Sequence, residues 1–283
     1  GSEMCIRDRN KLLGTVLTSA LTISLLAGCG TSTSSKKKVG IIQFMDHTSL
    51  NEIKDSFDKE MKTLGYDDKN IEYTFKNGQG DTNTCASIAN DFAGKSFDCV
   101  MAIATPAAQA VAKLATKTPV VFSAVTDPVG AQLTSSLSKP DKNITGTSDE
   151  VQVDQIIDKA LEINPNTKTI GMLYNKGEAN SVTNIKKAKA YCAKKNIKIE
   201  EATIASVNEA QSAVNVLNSK CDAIFAPNDN TVASAMNVVS DACKKANKPL
   251  YVGADSMVKD GGFLSVGIDY KLSLIHISEP TRH

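Results

Sequence analysis

The runs Lys117-Thr118-Pro119-Val120-Val121-Phe122-Ser123-Ala124 and Lys248-Pro249-Leu250-Tyr251-Val252-Gly253-Ala254 decide the fold. Each is a short apolar stretch opened by a proline, a residue that a sheet tolerates at the start of a strand. Each also sits at the same place in one of two halves with the same order of elements. Upstream of the first run lies Phe97-Asp98-Cys99-Val100-Met101-Ala102-Ile103-Ala104, and upstream of the second Cys221-Asp222-Ala223-Ile224-Phe225-Ala226. Both have the length and composition of a buried strand.

Further out the match continues. Lys38-Val39-Gly40-Ile41-Ile42-Gln43-Phe44 leads into an amphipathic helix with the stripe Leu50, Ile53, Phe57, Met61 and Leu64. Ser49 with Glu52 three residues on reads as its capping box, and Gly65 as its end. A strand over residues 70–75, a loop over 77–81 and a helix carrying Cys85, Ile88, Ala89 and Phe92 follow. The second half answers with Thr169-Ile170-Gly171-Met172-Leu173-Tyr174 and a helix from Ser181 bearing Val182, Ile185, Ala188 and Cys192. Then come a strand over 197–202, a helix marked by Ala210, Val214 and Leu217, and one continuous helix over 230–245. Ile144-Thr145-Gly146 corresponds to Ser265-Val266-Gly267. Strands alternating with helices imply parallel sheets covered on both faces. The fold class is α/β, with two Rossmann-like lobes expected over residues 38–148 and 149–272. The link runs near Thr147-Ser148-Asp149, before a helix carrying Val153, Ile156, Ile157 and Leu161.

The ends read differently from the middle. Leu12 to Cys29 is an apolar stretch preceded by Lys11 and ended by small residues, the layout of a secretory signal over residues 1–29. Leu26-Ala27-Gly28-Cys29 resembles a bacterial lipobox, which makes Cys29 the lipidation site, although a short uncleaved membrane anchor is an alternative. Residues 30–37 form a Gly/Ser/Thr/Lys tether. Residues 1–9 and 273–283 resemble translated sequencing-adapter read-through and are read as foreign. Either way the folded part is expected outside the cytoplasm, held to the membrane.

The 32 basic and 31 acidic residues nearly cancel, which removes the electrostatic footprint of a nucleic-acid binder. Of seven cysteines, Cys85, Cys99, Cys192, Cys221 and Cys243 fall in or beside predicted elements without CxxC spacing. They read as small core residues, with one disulfide left open. With His276 and His283 in the suspect tail, His47 stands alone, so no histidine-rich metal site is expected and no cofactor. GxGxxG, Walker and GxSxG patterns are missing, and Gly78-Gln79-Gly80 follows the second strand and lacks a third glycine. No catalytic residue is assigned.

In open parallel sheets, ligands bind beyond the carboxyl ends of the strands. The first lobe places Gln43, Phe44, Gln79, Asp81, Thr105, Ser123, Thr126 and Asp127 there, and the second Tyr174, Asn175, Glu178, Asn180, Asn228, Asp229, Asp255 and Ser256. The first set offers hydroxyls and helix N-termini, which suit a carboxylate. The second offers acids, which suit an ammonium group. Together they fit a zwitterion, yet each acid is equally a helix cap. Phe44 and Tyr174 stand at the mouths of the two leading strands. They are placed to sandwich an aromatic side chain or simply to pack between the lobes.

The order of Val39-Gly40-Ile41-Ile42-Gln43-Phe44, Ala104-Thr105-Pro106-Ala107-Ala108-Gln109-Ala110, Ser123-Ala124-Val125-Thr126-Asp127-Pro128, Gly146-Thr147-Ser148-Asp149, Tyr174-Asn175 with Glu178-Ala179-Asn180-Ser181, Pro227-Asn228-Asp229-Asn230-Thr231 and Val266-Gly267-Ile268-Asp269-Tyr270 resembles ABC-transporter substrate-binding proteins of the tryptophan/tyrosine type. The resemblance runs from about residue 38 to 271. It implies a type I periplasmic-binding fold, an aromatic amino acid as cargo, capture by closure of the lobes, and a permease with its ATPase as partners of a monomer. Members of that family continue past the Gly-Ile-Asp-Tyr stretch into a helix and strands, so the chain is expected to be C-terminally truncated. A tethered sensor, or a binder of a nucleoside or sugar, remains the alternative.

Overall fold

Two parallel sheets organise the chain, and both are buried on two faces. The computed structural model describes residues 36–267 and Tyr270. The first sheet holds β1 (Lys37–Gln43), β2 (Ile71–Asn77), β3 (Cys99–Ile103), β4 (Val120–Ser123) and β5 (Ile144–Gly146), in the order β2-β1-β3-β4-β5. The second holds β6 (Thr169–Tyr174), β7 (Lys198–Thr203), β8 (Ala223–Ala226) and β9 (Leu250–Val252), in the order β7-β6-β8-β9. Every ladder is parallel. The helices between strands are α1 (Thr48–Thr63), α2 (Thr82–Ala93), α3 (Thr105–Val111), α4 (Val153–Ile163), α5 (Ala179–Lys194), α6 (Ala210–Asn218), α7 (Asn230–Ser234), α8 (Met236–Lys245) and α9 (Asp255–Lys259).

Alternation along the strands explains the layers. In the second sheet Ile170, Met172, Phe225 and Tyr251 face Ile156, Ile157, Ile185 and Cys192 of α4 and α5. Leu173, Ile224, Leu250 and Val252 belong to the other core with Val214, Leu217, Val239 and Cys243. That second face shares one continuous apolar cluster with the first sheet. Gly40 is small because a Cβ there would stand 2.9 Å from the Phe92 ring. Cys85, Cys192, Cys221 and Cys243 are buried, Cys99 is half-buried, and all five are free thiols.

The elements differ from the sequence expectations in three places. Helix α1 starts at Thr48 with His47 as its N-cap, whose side chain makes no capping bond. The Ser49–Glu52 capping box therefore does not form, because the Ser49 hydroxyl is taken by Ser256 of α9. The helix expected over 230–245 is two, α7 and α8, parted at Ala235, where φ is −102° and ψ 11°. The Ser265-Val266-Gly267 run forms no strand; its neighbour Leu264 makes a single bridge to Tyr251. The signal stretch, the lipobox with Cys29 and the 273–283 tail lie outside the described residues.

Candidate functional site

The loops leaving the carboxyl ends of the strands turn sharply. Gln79, Ala104 and Ala124, which follow β2, β3 and β4, all take positive φ, at 55°, 81° and 56°. Non-glycine residues rarely do so, and such strain gathers at functional sites. Opposite them stand the loops leading into α5, α7 and α9. Between Ala124 and these loops lies a tight cavity, with about 10 Å³ of room for the centre of a water molecule. That is space for about one water, too little for an organic ligand in this arrangement.

Contacts across the cavity hold the lobes together. His47 Nε2 lies 3.0 Å from Asn230 Oδ1. Because Asn230 Nδ2 donates to Glu178, its oxygen faces the ring and Nε2–H is the donor. Asn228 Nδ2 donates to Thr126 Oγ1 at 2.9 Å. The Ser49 and Ser256 hydroxyls bond each other, and Lys259 Nζ lies 3.6 Å from Glu52 Oε1.

The acids divide into spent and available ones. Glu178, at the N-cap of α5, is a hub: its carboxylate accepts from Asn230 N, Thr231 N, Thr231 Oγ1, Asn180 Nδ2 and Asn230 Nδ2. Burial, and then the charge of Asp229, raise its pKa. Asp229 accepts from Asn175 N and Ser181 Oγ, both at 2.6 Å, and caps α7 through Val232 N at 2.8 Å. Burial raises its pKa too. Asp255 pairs with Lys259 at 2.8 Å. Hydrogen bonds from their own lobe thus occupy Glu178 and Asp229, while Asp255 has Oδ2 on Lys259 and Oδ1 buried without a hydrogen-bond partner among the described residues.

Asp149 stands apart. It lies on the crossing between the sheets, buried, and lines the cavity. Thr126 Oγ1 donates to one of its oxygens at 2.9 Å, while Asn228 Nδ2 and Tyr270 Oη donate to the other at 2.8 Å each. Burial pushes its pKa up to about 6 against those three donors.

The remaining expected residues scatter. Asn180 and Asn228 line the cavity. Asn180 Nδ2 points to Glu178, Ser181 and the Asn228 carbonyl, and its Oδ1 is buried without a hydrogen-bond partner among the described residues. Gln43 is buried with its amide on Asn51 and the Met45 carbonyl, and Thr105 begins α3 with its hydroxyl unpartnered among the described residues. Ser123 reaches Thr147 at 3.5 Å. Asp127 caps a turn at Gly130, Asp81 caps α2, and Gln79 is exposed. Asn175 turns inward to Thr231 and Gly177. The aromatic sandwich is not built. Phe44 is packed in the first core, and the Tyr174 hydroxyl donates to Glu201 on β7, so neither ring lines the cavity. His47, Ser49, Asp149 and Tyr270 line it instead. For Asp149 the available signal was its place just after β5, at a carboxyl end like the others.

The ABC transporter substrate binding protein family matches residues 38–273. The chain belongs to that family. It has the type I periplasmic-binding fold, and it is a substrate-binding protein of an ABC transporter. Such proteins are extracytoplasmic, and no helix among the described residues is long and apolar enough to cross a membrane. A tyrosine-binding protein of Clostridioides difficile (strain R20291) is 34% identical over 275 residues, covering 92% of this chain and 80% of that protein. An ABC domain from Streptococcus pneumoniae, solved in complex with L-Trp, is 37% identical over 86% of this chain and 85% of that one, with a TM-score of 0.81. A ligand-free, open structure of a substrate-binding protein with adhesive properties from Clostridium difficile is also 37% identical, over 83% and 80%, but its TM-score is 0.59.

Proposed function

We propose that this protein captures an aromatic amino acid, tryptophan or tyrosine, by closing its lobes over it and presenting the closed form to a permease and its ATPase. One observation carries the reading. At the same 37% identity, the TM-score is 0.81 against the L-Trp complex and 0.59 against the ligand-free, open relative. The greater likeness to a ligand-bound form than to an open one supports a closed arrangement, as do the interlobe bonds of His47, Ser49 and Asn228. A ligand that touches both lobes favours that state over the open one. Leu50, Ala124, Ala233 and Met257 supply apolar surface for a side chain.

The lobes are taken as residues 38–148 and 149–272, and the protein as a monomer held to the membrane by a lipid on Cys29. The lipobox-like Leu26-Ala27-Gly28-Cys29 and the short polar tether support that anchor.

Titration calorimetry and thermal shift against tryptophan, tyrosine, other amino acids, nucleosides and sugars test the reading. Saturation at about 100 times Kd is expected to add about 2.7 kcal/mol to stability for the right ligand. Stabilisation by a nucleoside or sugar, with none from tryptophan or tyrosine, would replace the amino acid as cargo.

A further inference from the structure

We propose that Asp149 is the specificity-determining anchor for the ligand's ammonium group; this rests on the cleft between the lobes being the ligand site. Four observations carry it.

The cavity lining holds two carboxylates, Asp149 and Asp229, and no lysine or arginine among the described residues. A buried carboxylate without a counter-charge costs free energy that a cation offsets. Asp229 is already shared between a helix cap, a backbone N–H and a serine hydroxyl. Among the described residues Asp149 has only neutral donors around it, and two oxygens accept about four hydrogen bonds, so room for one more donor is left.

Asn180 supplies an independent pointer to a ligand donor. It is 3% exposed, and its Oδ1 has no partner among the described residues. The orientation of its amide is chemically forced, because Nδ2 faces a carbonyl and a carboxylate, both acceptors. A buried, unpaired carbonyl oxygen on a cavity-lining residue is costly until a donor arrives. An ammonium group brings three N–H bonds, enough to serve Asp149 and Asn180 together.

Position adds a consequence. Asp149 sits on one interlobe segment, is bonded by Tyr270 downstream of β9, and is bonded by Asn228 from the second lobe and supported by Thr126 of the first. A charge bound there draws on all four segments at once, so recognition of the amine and closure become one event.

The test compares the wild-type protein with Asp149→Asn at neutral pH, using calorimetry with L-tryptophan and L-tyrosine against their des-amino analogues, the 3-arylpropionates. Asparagine keeps the network, since Thr126 can turn its hydroxyl to accept from the new amide. The wild-type protein is expected to prefer the amino acid by about 100-fold, and the variant's preference to shrink by about 10-fold or more, with analogue affinity little changed. Equal weakening of both ligands, or no change in either, would reduce Asp149 to a structural role. Should the variant not fold, the wild-type comparison decides alone: equal affinity for amino acid and des-amino analogue overturns the assignment. Failure of the aromatic reading looks different. The wild-type protein then takes some other amine-bearing small molecule, for which the same loss at Asp149→Asn is expected, whereas binding of neutral or anionic ligands only would exclude Asp149 as anchor.

Discussion

Glu178→Ala is expected to cost the fold about 3–5 kcal/mol, the range for breaking a buried charged network by removing one partner. The carboxylate satisfies five donors from three residues, Asn180, Asn230 and Thr231. Two of the five are the first backbone N–H groups of α7, which have no partner inside the helix. Alanine removes this acceptor from all five in a site that is closed to solvent, with Glu178 1% exposed, although Asn180 Nδ2 keeps the Asn228 carbonyl and Ser181 Oγ. Each orphaned donor costs about 1–3 kcal/mol before relaxation, so the total is held to the network figure rather than summed. Chemical denaturation should show a lower midpoint at unchanged m-value. Glu178→Gln keeps one carbonyl oxygen and is expected to lose less. The loss extends to binding, since Asn230 is then free to turn its amide away from His47. A cost below about 1 kcal/mol would mean that Asp229 alone holds the start of α7.

The two halves were legible because strand patterning is a local property. Thr169–Tyr174 is read with the same bounds from sequence and structure, since six consecutive residues carry the apolar run between a loop and a turn. The cleft was only partly legible. Asp229 and Glu178 advertise themselves by lying at strand ends, but whether a carboxylate is spent depends on neighbours far along the chain, such as Asn175 and Ser181 for Asp229. Asp149 reads as linker in one dimension. Its partners, Thr126, Asn228 and Tyr270, lie 23, 79 and 121 positions away and meet only because the two sheets are joined there. Phe44 and Tyr174 were misleading for the converse reason. Being at a strand mouth does not decide which face a side chain takes, and both rings turn away from the cavity. The break at Ala235 leaves no mark in the 3.6-residue pattern, because Val232, Met236 and Val239 keep to one buried face across it.

Ligand affinity is expected to fall by about 30-fold on acidification from roughly pH 7.5 to roughly pH 5 through His47 alone. In the closed structure burial pushes the imidazole from its ordinary 6.5 down to about 4, although the Asn230 side chain, Asp260 and Asp46 all favour the charged form. Asp149, Asp229 and Tyr270 line the same cavity, and Glu178 stands behind Asn230. When the lobes part, His47 regains water and its ordinary value. The closed form therefore binds fewer protons than the open one, so closure is fully favoured above about 6.5 and progressively lost as pH falls toward about 4. His47→Gln separates this from the other acids, because glutamine retains an N–H for Asn230 Oδ1 and carries no titrating group. Calorimetry across that range should give a profile for the variant that is shallower by the same factor of about 30, any residual slope belonging to the buried carboxylates Asp149, Asp229 and Glu178. Parallel profiles for the two proteins would mean that His47 keeps the same solvation whether the lobes are open or shut. The effect has a direction for transport as well: closure, and with it retention of the ligand, is strongest near neutral pH, where the ring is buried without a charge and Nε2–H still bridges the lobes.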